Sequence, residues 1–358
     1  MHHLSAKILL VSLGAIVSPG CVTSSRLAER THLSRHPVHE TRMSSQPEEG
    51  YVASGVWRIR GVRNTVYLVG TSHVVAEDQI PFPSPFYAAY QDSKEIYVEF
   101  DNLSLFSQVR FVPKAFKWMM SHRDELVCPK GRNLDSYLSA EMVERLQAFY
   151  GKDYRKRERM TPLFLVLMAE IMGPQGAENG GVEDIFRNLA RRDGKPTRTL
   201  DDQSVVDTAL LVMDETLSQV KLDIARRGAD AVVEEKIFGT SDEMDNTVWR
   251  QGDLAAIESM QAEMKNEAPA IYEKLLPERN RKWMARLEKA LHAKNNVMVL
   301  AGVAHMGGKD GLLELLRQAG FPAEQMYGVD RPQAQDLSLE RVQRAAPVDQ
   351  PLAQSSLR

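Results

Sequence analysis

From about Tyr51 onward, short apolar runs alternate with glycine, proline and polar punctuation. Val56–Ile59 and Val66–Val69 are β-rich runs separated by five residues, Arg60 to Asn64, which predicts a hairpin. The second run leads into Gly70-Thr71-Ser72-His73. A loop with Pro81, Pro83 and Pro85 follows, then a helix over Phe86–Gln91 and a strand over Glu95–Phe100. Strand, helix and strand in that order predict a βαβ unit.

The middle of the chain, from Leu103 to about Leu275, has mostly helical spacing. A helix is expected over Leu134–Phe149, opened by Asp135. Thr161–Met172 has Thr at a cap position and Pro at the first helical position. It is apolar nearly all round, which predicts a buried core helix; about 20 residues would be needed to span a membrane. Gly180-Gly181-Val182-Glu183 opens a helix that stops at Asp193-Gly194, and Lys195–Leu200 reads as a short strand. Further helices are expected over Ser204–Arg227, Leu254–Leu275 and Glu278–Lys294. Val297–Ala301 reads as a continuously apolar strand, Gly311–Ala319 as a helix stopped by Gly320, and Gln325–Val329 as a last strand. The fold class is therefore α/β: a mixed central sheet flanked by helices, two βα halves related by approximate symmetry, and a helical insertion between them.

The ends have another character. Met1–Lys7 is a short basic segment, Ile8–Val17 is mostly apolar, and Ser18-Pro19-Gly20-Cys21 follows. This predicts a signal peptide over residues 1–20, and Gly20-Cys21 resembles the lipobox of bacterial lipoproteins, with Cys21 as the lipidated new N-terminus; Ser18 stands where that motif usually has Leu, which leaves cleavage nearby by signal peptidase I as the alternative. Residues 21–50 carry no apolar period and read as the lipidated N-terminus and a flexible tether. The α/β domain then spans residues 51–329, and residues 330–358, rich in Gln, Pro and Ala, read as a disordered tail. The expected localisation is export to the cell envelope, anchored to the membrane by lipid and facing the periplasm.

Composition narrows the chemistry. The 358 residues carry 45 basic and 48 acidic side chains, a net charge of -3, which argues against a nucleic-acid partner. Lys152–Arg159 is locally basic but interleaved with acids and reads as a solvated helix end. Two cysteines exclude a disulfide scaffold and a Cys-rich zinc module. Cys128 is expected to be half-buried and inert. Asp242-Glu243-Met244-Asp245 lacks the ligand spacing of a calcium loop and reads as an exposed turn.

Of nine histidines, only His73, His122, His292 and His305 fall within the expected domain. His122 and His292 read as surface helix residues. The other two share a setting: Asn64-Thr-Val-Tyr-Leu-Val-Gly-Thr-Ser-His73 and Asn296-Val-Met-Val-Leu-Ala-Gly-Val-Ala-His305. Each is Asn, a five-residue β run, then Gly-x-x-His. At the carboxyl ends of neighbouring parallel strands, two such histidines can converge on one point in the ligand crevice. A glycine there is expected to permit a tight turn and leave room. Two imidazoles with a carboxylate make an open catalytic metal site, and Glu99, ending its strand beside Asp101, is the carboxylate candidate, a salt-bridged residue at the strand end being the equal alternative.

These residues also carry a resemblance. Gly55-Val-Trp-Arg-Ile59, the two Gly-x-x-His strands, Ile96-Tyr-Val-Glu-Phe-Asp101, Gly181-Val-Glu-Asp-Ile-Phe186, Trp249-Arg-Gln-Gly-Asp253 and Glu278-Arg-Asn-Arg-Lys-Trp283 resemble the TraB/GumN family over about Gly55–Tyr327. That family is related to the Tiki metalloproteases and, more distantly, to erythromycin esterase and ChaN-like haem-binding lipoproteins. The resemblance implies a mixed α/β fold with two related halves and a site of His73, Glu99 and His305 holding a divalent metal ion, as in metal-dependent peptide cleavage. It implies an acidic role for Glu183 and a role for the pair Arg279-Asn280. The family commonly has Gly-Leu-Glu where this chain has Thr199-Leu200-Asp201, which leaves Asp201 without an assigned role. The functional expectation is a hydrolase acting on a peptide or small-molecule ester in the envelope. In it His73, Glu99 and His305 are metal ligands, Glu99 doubles as base, Glu183 orients a ligand and Arg279 stabilises oxyanion charge. The alternatives are a non-catalytic envelope lipoprotein that binds a peptide, a glycan or haem, and a pseudoenzyme serving envelope biogenesis.

Overall fold

The structure is a computed structural model that describes residues 44–72, 75, 79–100, 105–172, 181–201, 205–239 and 248–332. The expected signal peptide, Cys21, most of the tether, His73, the Asp242–Asp245 segment and the tail beyond residue 332 lie outside the described residues.

A six-stranded mixed sheet forms the centre, in the order β4-β3-β5-β2-β1-β6. The strands are β1 (Val52–Arg60), β2 (Thr65–Thr71), β3 (Glu95–Val98), β4 (Thr197–Thr199), β5 (Val297–Gly302) and β6 (Ala323–Gly328). The predicted hairpin is present: β1 and β2 are antiparallel, with Trp57 opposite Leu68. From β2 to β4 the ladder is parallel, with Tyr67 opposite Met298 and Tyr97 opposite Val299. Every residue of β5 is buried, which explains its unbroken apolar run; a central strand covered on both faces has no solvent side to mark with polar residues. On β1, Gly55 is required by a close approach, since a Cβ there would lie 2.0 Å from the Trp249 carbonyl oxygen.

Twelve helices surround this sheet among the described residues. They are α1 (Ser84–Asp92), α2 (Leu105–Ser121), α3 (Arg123–Leu126), α4 (Ala140–Tyr150), α5 (Pro162–Met172), α6 (Val182–Asp193), α7 (Val205–Arg227), α8 (Ala229–Val233), α9 (Leu254–Glu267), α10 (Pro269–Leu275), α11 (Pro277–Leu291) and α12 (Leu312–Gln318). Two expectations shift. The helix expected from Leu134 begins at Ala140, where Ser139 accepts the Met142 N–H; Leu134–Ser136 is a separate tight turn. The helix expected over Leu254–Leu275 is broken at Ala268-Pro269, because proline cannot supply the N–H a continuous helix needs.

The all-round apolarity of α5 has a structural cause. Leu167 joins the main core around the sheet, whereas Leu165, Val166 and Ala169 join a second cluster with Leu134, Leu146, Val232 and Ile237. The helix bridges two cores and so needs two apolar faces. No helix among the described residues is long and apolar enough to cross a membrane.

The domain edges also move slightly. Ser44 already exchanges two backbone hydrogen bonds with Tyr327 of β6, so the last residues assigned to the tether are attached to the sheet. Asp330, assigned to the tail, is ion-paired to buried Arg250 at 2.8 Å. Cys128 is more deeply buried than expected: it is 2% exposed, its Sγ donates to the Met160 carbonyl, and burial pushes its thiol up. His122 is half-buried between α2 and α3, against Trp118, and not a surface helix residue; His292 is exposed, as expected.

Topology sets the position of the site. The unit β2-α1-β3 passes over β5 to one side, and β5-α12-β6 passes over β2 and β1 to the other. The two Gly-x-x-His strands are thus adjacent and parallel, and their following units diverge. Beyond β3 the chain continues to β4, whereas beyond β5 it continues to β6. The carboxyl ends of β3 and β5 therefore flank a topological switch point, where open α/β sheets hold ligands.

Candidate functional site

At that edge a set of charged side chains is buried. Glu99 follows β3, Asp201 follows β4, and the Asp201 N–H donates to the Glu99 carbonyl at 2.8 Å, so parallel pairing brings the two carboxylates together. Gly302 ends β5, and its N–H donates to Glu99 Oε1 at 2.5 Å. His305 closes the short turn after β5 and is 1% exposed.

The fourth component comes from the first turn of α11. Arg279 Nη2 donates to Glu99 Oε2 at 2.5 Å and to Asp201 Oδ2 at 2.7 Å, and its Nε donates to Asp201 Oδ1 at 3.2 Å. A cation at a helix N-terminus opposes the helix dipole, and burial disfavours its charge. Asp201 and Glu99 outweigh both effects and raise the pKa of the guanidinium above its ordinary value. Arg279 Cζ lies 4.7 Å from the centroid of the Trp283 ring, one helical turn on, and the Trp283 Nε1–H donates to Asp201 at 2.7 Å. Burial pushes the Asp201 carboxyl up, while Arg279 and the Trp283 hydrogen bond pull it down.

The orientation of His305 is fixed by its neighbour on α11. Asn280 Nδ2 donates to the carbonyls of Asp310 at 2.9 Å and His305 at 3.3 Å, so Asn280 Oδ1 is an acceptor. His305 Nδ1 lies 2.6 Å from that oxygen and must carry the proton it accepts. Nε2 is then the lone-pair nitrogen. It accepts from Arg279 Nη1 at 3.3 Å and lies 3.8 Å from Glu99 Oε1.

Glu183 stands at the N-terminus of α6. Its Oε2 accepts the Glu99 backbone N–H at 3.5 Å, and its Oε1 is ion-paired to Arg187, one turn on. Arg187 also donates to the Phe100 carbonyl at 2.9 Å, and so anchors α6 to the chain leaving β3. Burial pushes the Glu183 carboxyl up to about 8; Arg187 opposes this, and Glu99 and Asp184 reinforce it. The same helix start fixes β2: the Val182 N–H donates to the Ser72 carbonyl at 3.0 Å, one residue before His73.

Of the residues expected at the site, the structure brings together Glu99, Arg279 and His305, with Glu183 behind Glu99. His73 lies outside the described residues. The glycines of the two motifs do not act through special backbone angles, since neither has a positive φ. Gly70 serves packing instead: a Cβ there would lie 3.0 Å from a Val303 methyl carbon. Asp201, left without a role by its departure from the family pattern, is the principal partner of Arg279. Two further residues had no role assigned from the sequence: Trp283, which closes the Glu278–Trp283 segment one helical turn beyond Arg279, and Arg187, the basic residue one turn beyond Glu183.

His305 Nε2 and Glu99 Oε1 lie 3.8 Å apart, a separation compatible with two ligands of one ion with bonds of about 2.1 Å, whereas Glu99 Oε2 and Asp201 are already paired with Arg279. Among the described residues no group of three His, Cys, Asp or Glu side chains is gathered as a metal cluster, so a complete set would need a ligand from outside them.

No curated protein and no solved structure matches the chain. The sequence profile of one family, however, matches residues 55–325, which include both Gly-x-x-His strands and every charged residue of the buried site. With the mixed sheet and the charged cluster at its strand ends, that match makes this chain a member of the TraB/PrgY/gumN family.

Proposed function

We propose that the chain is a metal-dependent hydrolase of peptide or ester bonds, exported and tethered to a membrane through Cys21. The observation that carries the catalytic part is the buried network Glu99–Arg279–Asp201 beside a histidine whose tautomer is fixed by Asn280. Burying several charges stabilises a fold poorly, so such a cluster at a sheet's ligand-binding edge points to chemistry. The export and tether rest on the basic segment, the apolar run and Gly20-Cys21 at the start of the sequence.

In this reading His305 Nε2 and Glu99, with His73 as the third ligand, would hold a divalent ion, which would supply Lewis-acid polarisation of a carbonyl and activation of water near neutral pH. The protein's own groups do the rest. Asn280 keeps Nε2 of His305 unprotonated and aimed. The Gly302 N–H holds one oxygen of Glu99, and the other, beside Arg279, can take a proton from the attacking water. Arg279, held by Asp201 and Trp283, presents positive charge where an oxyanion would form. Glu183 and Arg187 position the backbone that carries Glu99.

The test is metal content together with turnover of a fluorogenic peptide or ester library, on protein purified without chelator. About one divalent ion per chain is expected, lost in His305→Ala and in His73→Ala along with activity. A metal-free wild-type protein that turns over substrate, or metal retained in both variants, overturns the reading.

A further inference from the structure

The functional reading above makes no use of α2. This helix contains Arg110, Lys114 and Lys117 and no acidic residue, in a chain whose net charge is -3. It is docked on α7 through Trp118, which is 8% exposed and donates its Nε1–H to Asp214 at 2.5 Å. The opposite side is apolar and faces outward: Phe116 is 57% exposed, Met119 39% and Met120 48%. Their spacing, i, i+3 and i+4, makes one stripe. Lys117 is exposed beside the stripe, as is Lys114 nearer α7. The nearest acids in sequence, Asp124 and Glu125, fall after the helix, in α3, where Glu125 is ion-paired to Lys221 at 2.5 Å.

Large apolar side chains exposed together on one helix face mark a partner surface. An acid-free basic helix with Phe and Met exposed along one stripe has the composition of a helix lying in the plane of a bilayer, its apolar side among the acyl chains and its cations at the headgroups. We infer that the outer face of α2 docks on an anionic lipid surface, with Phe116, Met119 and Met120 entering the interface and Lys117 meeting the headgroups. The charge is what selects lipid over a second copy of the chain: two such helices face to face would set basic residues against basic residues. This contact is separate from any anchor at Cys21 and does not depend on the hydrolase reading.

The test places the environment-sensitive fluorophore nitrobenzoxadiazole on Met120→Cys in the full chain carrying Cys21→Ser, with Cys128 protected by burial. A control carries the label at Gln318→Cys on α12. With phosphatidylserine-containing phosphatidylcholine vesicles, emission at position 120 is expected to rise at least about twofold and shift to the blue, and emission at position 318 to stay flat. Lys117→Glu in the labelled chain should require about tenfold more lipid for the same response, and Phe116→Asp should weaken it further. Flat emission at position 120 overturns the inference. So does an equal response to pure phosphatidylcholine, and so does a rise that follows protein concentration without lipid, which would assign the face to a second copy.

Discussion

Replacing Arg279 with Met removes the single positive charge shared by two buried carboxylates. The side-chain volume is nearly kept, so the cost is chiefly electrostatic. Breaking a buried ion pair by removing one partner costs about 3–5 kcal/mol. Here one guanidinium serves both Glu99 (2% exposed) and Asp201 (8%), so Arg279→Met should fall at the upper end, about 5 kcal/mol. Asp201→Asn keeps the Glu99–Arg279 pair and an acceptor for Trp283, so its cost should be about that of charged hydrogen bonds, roughly 2–3 kcal/mol. For a chain of this size each kcal/mol moves the melting temperature by about 2 °C, so the two variants should melt roughly 10 and 5 °C below wild type. The double variant should lose less than the two singles added together, by about 1–3 kcal/mol, because removal of Arg279 then leaves only Glu99, and no longer Asp201, as a buried charge without its cation. Urea denaturation followed by far-UV circular dichroism reads all four stabilities. Strictly additive costs, or an Arg279→Met cost no larger than that of Asp201→Asn, would show that the guanidinium does not hold the two carboxylates and would refute the reasoning.

Three further outcomes follow from named contacts. Glu183 is raised to about 8 from an ordinary 4.5, so between these pH values the folded chain keeps a proton that the unfolded chain sheds, and stability falls as pH rises, by up to about 1.4 kcal/mol per unit. Glu183→Gln should remove that slope, so its stability relative to wild type should be higher at pH 8 than at pH 5 in urea titrations; an unchanged slope would mean that Arg187 keeps Glu183 ionised. Asn280→Ala should release the His305 tautomer and lower metal affinity or activity about 10–100-fold, with long-range proton–nitrogen correlation spectra showing Nδ1–H in wild type and loss of that preference in the variant; wild-type spectra with the proton on Nε2 would contradict the assignment. Gly55→Ala should cost about 1–3 kcal/mol through collision with the Trp249 carbonyl, visible as a lowered melting temperature, and a neutral result would show that β1 shifts freely there.

Local pattern determined much of this protein. The hairpin of β1 and β2, the capped start of α5 and the buried run of β5 are each written within a dozen residues, because turn chemistry, capping and hydrophobic period act over that range. The repeated Gly-x-x-His likewise marked the sheet edge at which the buried charged cluster lies, since a motif that ends two strands alike marks two strand ends. Glu99, Arg279 and His305 were legible because each stands in such a motif or in a segment resembling the family.

What the tertiary structure decided was adjacency. Sequence order places β2 before β3, but β5 lies between them, so Glu99 meets Gly302 and His305 across residues more than two hundred apart in the chain. Asp201 became the main partner of Arg279 only when β4 joined the sheet beside β3, and one fewer methylene than Glu proved no obstacle. The tautomer of His305 depends on Asn280, which reaches it from the start of α11. A residue's partner across the fold is set by strand order and helix docking, which depend on the summed packing of the whole core, and no local pattern encodes that sum.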